Sequence, residues 1–587
     1  MEITTTHLSI CLRILIALCT RTFFQPDEFF QSLEPAHHLV FGYGHLTWEW
    51  LSPTPIRSII YPALNVPIYW LLKLTGISDM KVLGSWLLIA CPKIMHGVFA
   101  AATDIWLCRL TRQVLGRQYV STALFLSLSC FFNVLSLSRS LSNSLETSLT
   151  TIAFSYYPWD ASSNLSPQLI FYKPRMRKTL IFAALACMVR PTNIIIWIYL
   201  FGNIFWSLRS HKRAVNAVFY EGMVVGAIAG IVQLTSDSLY YRKLTLTPLN
   251  FFLTNMSSVS LFYGSSPWHY YLTQGIPILC TTALPFMLLG IYSTVFNRGP
   301  VALRSMLGTV MWTVGIYSIA GHKEWRFIHP ILPLLHVFAA KALVDLSNPA
   351  PGRKGKPKKS RKSPQPHTIF NKLPSIRPAF LALLLLTLPA SIYIMLFYCS
   401  GPVSVLSYIR SIPHVQLGNE TVGFLMPCHS TPGHAYLHQE KLAQGAMWAL
   451  GCEPPLEFVH IPVPRHPYPT DYILSRKQEL STYLDQTDVF FQSPQNYLQK
   501  YFPPKVNLSF PFSLYPASIP GTAEKLDGYP WEHEWPRYLG FFGALLREEG
   551  VESMLVAKGY KEVWRGGREW EGEGHRKGAV RVWKWSK

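Results

Sequence analysis

Apolar segments of membrane-spanning length recur through the first 400 residues, and the loops between them are short and basic. Crossing a bilayer as a helix takes about 17–25 predominantly apolar residues. Segments near 7–24, 86–108, 119–136, 143–158, 179–190, 194–208, 214–234, 273–296, 304–320, 328–346 and 379–399 meet or approach that length. The chain therefore reads as a polytopic α-helical membrane protein with about eleven transmembrane helices. The pair 179–190 and 194–208 could equally be a broken hairpin or one long helix. The apolar stretch 56–75 holds Pro62 and Pro67 and is expected to lie re-entrant or interfacial rather than to span. Composition agrees with a membrane protein. Of 587 residues, 49% are hydrophobic and only 14% are charged, where a soluble chain carries about a quarter.

The loop charges set the expected orientation. With the N-terminus cytosolic, Arg109, Arg112 and Arg117, then Lys173 to Lys178, Arg209 to Arg213, Arg298 with Arg304, and Arg353 to Lys362 all fall on one side. Basic loops collect on the cytosolic face, so the net charge of +21 reflects topology and not nucleic-acid binding. The apolar stretch Leu8 to Leu18 lacks a following small-residue cleavage site and reads as a retained signal anchor.

Two domains are expected: a membrane domain over 1–400, with a lumenal first loop at 25–85 and a cytosolic basic linker at 349–378, and a lumenal C-terminal α/β domain over 401–587. The C-terminal part carries glycosylation sequons at Asn419 and Asn507. Among ten cysteines, Cys428 and Cys452 sit in this polar region. A lumenal setting allows a disulfide between them, and two free thiols is the other reading.

Two charged clusters stand at the mouths of apolar segments, where charge is costly and serves a site or anchors a helix end. Asp27 and Glu28 follow the first segment; His322, Lys323 and Arg326, with Glu324 among them, precede the tenth. The expected topology puts both on the lumenal side, where they could share one cleft. A carboxylate at such a boundary can take a proton from a hydroxyl nucleophile; a solvated helix end is the alternative. The cations suit a phosphate or pyrophosphate, or they snorkel at a helix end. Lumenal Arg139, Asn143, Asp237, Tyr241, Trp268, His269 and Tyr270 suit sugar binding, and the aromatics among them equally suit an interfacial belt. No metal-ligand spacing, glycine-rich phosphate loop or Ser-His-Asp pattern is evident.

The motifs resemble those of one family. Gln25-Pro26-Asp27-Glu28-Phe29-Phe30-Gln31 followed by Phe41-Gly42-Tyr43-Gly44-His45-Leu46-Thr47-Trp48-Glu49-Trp50 is similar to the first lumenal loop of glycosyltransferase family 22. Arg139 to Thr147, Ser266 to Tyr271 and His322 to Phe327 resemble three further family motifs in the same order. Gly423 to Gly433 looks like the signature of the branch that adds the third, α1,2-linked mannose to the glycosylphosphatidylinositol (GPI) precursor. Two departures are visible: Gln25 stands where the family usually has His, and Trp570 to Lys587 matches loosely.

The resemblance implies a GT-C fold in the endoplasmic reticulum membrane with a lumenal active site. It implies dolichyl-phosphate-mannose as donor, a GPI glycolipid carrying two mannoses as acceptor, membrane lipid as surroundings and no cofactor. Transfer would be inverting, with Asp27 or Glu28 as base and His322, Lys323 and Arg326 on the donor phosphate. The alternatives are a mannosyltransferase for the lipid-linked N-glycan precursor or another GPI mannose, and, from another class, a transporter or lipid scramblase. The last predicts mid-span ionisable residues and inverted repeats, which the sequence does not display.

Overall fold

The computed structural model describes residues 5–80, 82–161, 172–256, 262, 264–297, 299–348, 376–412, 420–454, 483–513 and 531–586. The sequon Asn419, the linker Arg353 to Lys362 and most of 349–378 lie outside the described residues. The chain forms two compact units, each discontinuous in sequence. One comprises Met1–Leu18, Lys93–Val232 and Ser266–Ile392; the other comprises Cys19–Pro92, Gln233–Ser265 and Tyr393–Lys587. The first loop therefore belongs with the C-terminal residues, where the sequence suggested a boundary near residue 400.

Among the described residues, six helices are long and apolar enough to cross a membrane: Leu83–Val114, Pro191–Leu208, Lys212–Tyr241, Tyr271–Phe296, Trp325–Ser347 and Pro378–Ser411. Length and composition thus establish fewer spans than the eleven expected. Thr5–Cys19 is shorter. The segment expected at 119–136 stops at Ser129, where Cys130 is extended, and resumes as a π-turn, Asn133–Leu137. Residues 179–208 form two helices, Lys173–Val189 and Ile194–Leu208, because Pro191 holds Arg190 extended. The stretch 56–75 forms only short helices, Ile60–Ala63 and Val66–Leu74.

The first unit packs helix on helix around one apolar core that includes Leu107, Phe154, Leu200, Met306 and Phe338. Small residues let helices approach closely in such bundles. At Gly290 an added Cβ would meet the Phe338 carbonyl oxygen at 2.1 Å, and at Gly97 it would meet the Ile14 Cα at 2.9 Å. The core also holds a buried ion pair. Arg13 forks onto Asp104, Nε to Oδ2 at 2.8 Å and Nη2 to Oδ1 at 2.9 Å, with both side chains 0% exposed. Arg13 donates further to the Ser127 and Asn133 carbonyls, and Ser127 Oγ donates to Asp104.

The second unit contains a five-stranded sheet: β1 Val422–Phe424, β2 Met447–Ala449, β3 Tyr538–Phe542, β4 Tyr560–Gly566 and β5 Val580–Trp585. Its order is β2-β1-β3-β5-β4. The β2-β1 and β1-β3 pairs are parallel, and β3-β5 and β5-β4 are antiparallel. Side chains alternate across a strand. Tyr538 and Phe542 of β3 join a core with Phe29, Phe30, Leu33 and Leu406, whereas Leu539 and Phe541 join one with Trp448, Phe490, Trp535 and Leu555. The residues that follow Asp27-Glu28 are thereby packed onto one face of this sheet. Backbone bonds from Arg21 to Met395 and from Phe23 to Cys399 fasten the approach to it.

Candidate active site

Asp27 and Glu28 open a helical run. Pro26 starts the turn: its carbonyl accepts from Phe29 and Phe30 N–H at 2.9 and 3.0 Å. A helix start presents unbonded N–H groups and suits a carboxylate. The two acids differ in exposure. Asp27 is half-buried, and its charge is felt at the His429 imidazole. Glu28 is only 4% exposed, and its charge is felt at the buried Tyr61 hydroxyl. Asp27 is thus the more accessible of the two carboxylates.

The run then widens into a π-turn, Phe29–Leu33, before continuing as the helix Glu34–Phe41. Such turns are rare and recur at functional sites. The second half of the first-loop motif holds this one in place. Gln31 donates to Glu49, whose Oε1 also accepts from Arg57 Nε and Nη2; Trp50 Nε1 donates to the Phe30 carbonyl; Asn65 donates to Ser32. Asp237, buried, accepts from Ser58 Oγ, Ile59 N–H and Thr247 Oγ1, and Tyr241 donates to the Arg57 carbonyl. Those two sugar-binding candidates therefore anchor loops in the structure. Two other π-turns also adjoin motifs: Asn133–Leu137 precedes Arg139, and Tyr271–Gly275 follows Tyr270.

Glu34 was not singled out by sequence. It is fully buried, and its carboxylate accepts from His45 N–H at 2.9 Å and Ala435 N–H at 2.7 Å. Around it stand His37, His45, His434 and His438, with His37 Nε2 2.9 Å from His438 Nδ1. Burial pushes the Glu34 carboxyl up to about 8, against those N–H bonds. Burial pushes His429, His434 and His438 down to about 4. Proton linkage gives opposite slopes on the two sides. Histidines held neutral contribute stability that is present above their ordinary 6.5 and is lost as pH falls through about 4. A carboxyl held neutral contributes stability that is complete below 4.5 and is lost as pH rises through about 8. Glu453 and Asp485 are likewise pushed up by burial, to about 7, so between pH 7 and 8 the decline left to Glu34 is no more than about 1.4 kcal/mol per pH unit. In Glu34→Gln the decline between pH 7 and 8 should vanish from a plot of Tm against pH while the acid limb stays. An unchanged alkaline decline contradicts this account.

The first unit holds the cationic motif. Arg326 forks onto Glu324, Nε to Oε2 at 2.6 Å and Nη2 to Oε1 at 2.9 Å, and His322 Nε2 lies 3.2 Å from the same carboxylate. Burial would raise Glu324, but Arg326 and His322 hold it well below the usual range. Lys323 is 6% exposed, and burial lowers its pKa. Its ammonium donates to the Ser266 carbonyl at 2.7 Å, which ties this motif to Ser266 to Tyr271. The Phe327 ring has two guanidinium groups near it, Arg190 at 5.4 Å and Arg326 at 5.8 Å. Arg190 also pairs with buried Glu146 at 3.3 Å, and Asn193 donates to Glu146 at 2.8 Å. Arg190 and Glu146 lie in two separate polar stretches of the sequence, and nothing in either stretch shows that they pair.

The remaining expected residues divide. Asn143 is buried with neither amide atom hydrogen-bonded, which points to a missing partner. Arg139 donates to the Leu135 carbonyl at 2.7 Å. Trp268 is 70% exposed, His269 is exposed with Nδ1 3.2 Å from Thr273 Oγ1, and Tyr270 packs edge-on to Tyr271. Cys428 and Cys452 form a disulfide. With His429 their ligand atoms lie within 4.8 Å of one another. Joined sulfurs offer no thiolate to a metal, so this group does not fit one. Asn507 is exposed, and its Oδ1 accepts from the Ser509 hydroxyl at 2.8 Å.

The profile of the Alg9-like mannosyltransferase family matches residues 4–438, most of the chain and all five motif segments up to the Gly423 to Gly433 stretch. The chain belongs to that family. It is accordingly a membrane-embedded mannosyltransferase. It is 31% identical to human GPI alpha-1,2-mannosyltransferase 3, over 93% of this chain and 85% of that one. It is 32% identical to GPI mannosyltransferase 3 of Aspergillus fumigatus, over 98% and 76%, and 33% identical to that of Yarrowia lipolytica, over 85% and 83%. Among solved structures, ArnT from Cupriavidus metallidurans bound to undecaprenyl phosphate matches with a TM-score of 0.51. That match covers 88% of this chain and 96% of ArnT at 12% identity, so it is a likeness of fold, in line with the GT-C architecture expected from the motifs.

Proposed function

We propose that this member of the Alg9-like family transfers mannose from dolichyl-phosphate-mannose, in α1,2 linkage, as the third mannose of the GPI precursor. The observation that carries the choice is the reach of the similarity. It continues past residue 438, where the family profile ends, and covers 98% of the chain in a protein named GPI mannosyltransferase 3. The acceptor is a GPI glycolipid with two mannoses. The setting is the endoplasmic reticulum membrane, crossed about eleven times, with Asp27 and the C-terminal domain in the lumen.

The chemistry is one displacement at the mannosyl C1. The acceptor hydroxyl oxygen bonds to C1 while the C1–O bond to phosphate breaks, and the β-linkage becomes α. Asp27 takes the hydroxyl proton. Dolichyl phosphate leaves as an anion and needs charge stabilisation more than a proton. Lys323 and Arg326 supply it, with Glu324 orienting Arg326. Lys323→Ala and Arg326→Ala should each raise the donor KM or lower kcat by an amount equivalent to about 1.5–3 kcal/mol, with acceptor KM unmoved. Arg326→Lys should recover part of this, because lysine cannot fork onto two oxygens. Unchanged donor kinetics in both alanine variants, at matched protein amounts, would reduce the cluster to a helix-end anchor.

Expression in cells that accumulate the two-mannose GPI precursor tests the function. The precursor should advance to three mannoses and surface GPI-anchored proteins should return. Persistence of the two-mannose lipid contradicts the assignment. In the same cells a tag at the N-terminus should face the cytosol and Asn507 should carry glycan; a tag protected in sealed microsomes would reverse the orientation.

A further inference from the structure

Within the second unit a cavity of about 330 Å³ opens between the first loop and β1-β2 of the sheet. Its walls come from the Gly42 to His45 turn, from Met426 to His434 and from Ala443 to Ala449. Several features mark it as built. Two non-glycine residues on its wall sit in the left-handed region, His429 at φ +53° and Gln444 at φ +54°. Such conformations persist where the surroundings impose them and gather at ligand sites. The Cys428–Cys452 disulfide pins the backbone beside His429. His434, 5% exposed, lines the cavity with Nδ1 lacking any hydrogen bond.

The lining states what could bind. Phe30, Tyr43, Phe424 and Trp448 supply aromatic surface, and His45, His429, His434 and Gln444 supply donors and acceptors. No lysine, arginine, aspartate or glutamate is among the lining residues. Burial keeps His429 and His434 neutral, both down at about 4. The charges that act on His429, those of Asp27 and Arg576, stand behind the wall and are of opposite sign, so the lining itself offers neither a countercharge for an anion nor a carboxylate for a cation. Aromatic faces with neutral hydrogen-bonding groups match a pyranose, which offers C–H faces and hydroxyl edges. The volume lies at the small end of the usual 300–1,000 Å³ for ligand pockets, which suits a sugar and not a polyisoprenoid tail. Phe30, three residues after Asp27 in the same helical run, lines the cavity with its ring centroid 4.6 Å from that of His429, so the cavity lies near the proposed base.

We propose that this cavity is a carbohydrate subsite that holds a neutral sugar residue of the glycolipid acceptor. The identity of that acceptor rests on the function proposed above; the class of ligand rests on the cavity alone.

The test uses the full-length protein in detergent with methyl α-D-mannopyranoside as probe, read by saturation-transfer NMR. Wild type should transfer saturation to the sugar. Ala443→Phe, which fills the cavity, should abolish the signal; His434→Leu should weaken it, and His434→Gln should keep most of it. In the transfer assay His434→Leu should raise the acceptor KM by about tenfold, the loss of one hydrogen bond, with donor KM unchanged. Unchanged donor KM also shows that the variants are folded. A signal that survives Ala443→Phe, or one displaced by inorganic phosphate, overturns the subsite. If no mannose is transferred to the GPI acceptor but the probe still binds and is lost in Ala443→Phe, the function falls and the subsite stands. If transfer proceeds and neither variant moves acceptor KM, the subsite falls and the function stands.

Discussion

Asp27→Asn should lower kcat by about 10²–10⁴-fold, the usual loss on removing a general base, while the protein folds and binds its donor normally. The amide keeps the size of the side chain and its place on the helix start, but it cannot accept the proton. The surroundings favour this residue over its neighbour. Asp27 is half-buried, three residues before Phe30, whose ring meets that of His429, whereas Glu28 is only 4% exposed. Glu28→Gln should therefore cost stability more than turnover. If Glu28→Gln lost more kcat than Asp27→Asn, the base would move one residue along the chain.

The second large effect is structural. Arg13→Leu should destabilise the protein by about 3–5 kcal/mol, because it leaves Asp104 as an uncompensated charge in the core. Asp104 lies in Leu83–Val114, a helix apolar enough to span a membrane, where a lone carboxylate is costly. The double variant Arg13→Leu with Asp104→Leu should recover much of the loss. Recovery should be partial, since the Asn133 carbonyl loses the Arg13 guanidinium and the Ser127 carbonyl and hydroxyl are left with the Asn133 amide. The readout is Tm in detergent, supported by expression level. A single variant as stable as wild type would mean that the pair is dispensable.

This ion pair shows what a lone sequence conceals. Arg13 sits inside a segment that reads as plainly apolar, and its partner is 91 residues away. Periodicity and hydropathy report local environment; they carry no information on which distant charge answers a buried one. The same limit hid Glu34, whose donors come from His45 and from Ala435, 401 residues on. It also hid the pairing of the first loop with the C-terminal sheet, so the division at residue 400 followed hydropathy where packing divides the chain otherwise.

The motifs were legible because their residue types are expensive where they stand. Charges at the ends of apolar segments announced Asp27, Glu28 and the His322 to Arg326 cluster. What those residues do to one another was not. Glu324 binds both Arg326 and His322, and the Trp48-Glu49-Trp50 sequence, read only as a family mark, holds the π-turn after Asp27. The three π-turns have no sequence signature of their own, because one extra residue in a helical turn leaves the pattern of side chains nearly unchanged. Asp237 and Tyr241 looked like sugar ligands by type, yet their polar groups hold loops.

The most direct measurement is transfer in vitro. Microsomes containing this protein as the only enzyme able to act would receive dolichyl-phosphate-mannose and a two-mannose GPI glycolipid, with the Asp27→Asn variant in parallel. The account predicts a three-mannose product whose new residue is released by an α1,2-specific mannosidase and is absent with Asp27→Asn. A product resistant to that mannosidase, or equal product from the variant, would contradict it.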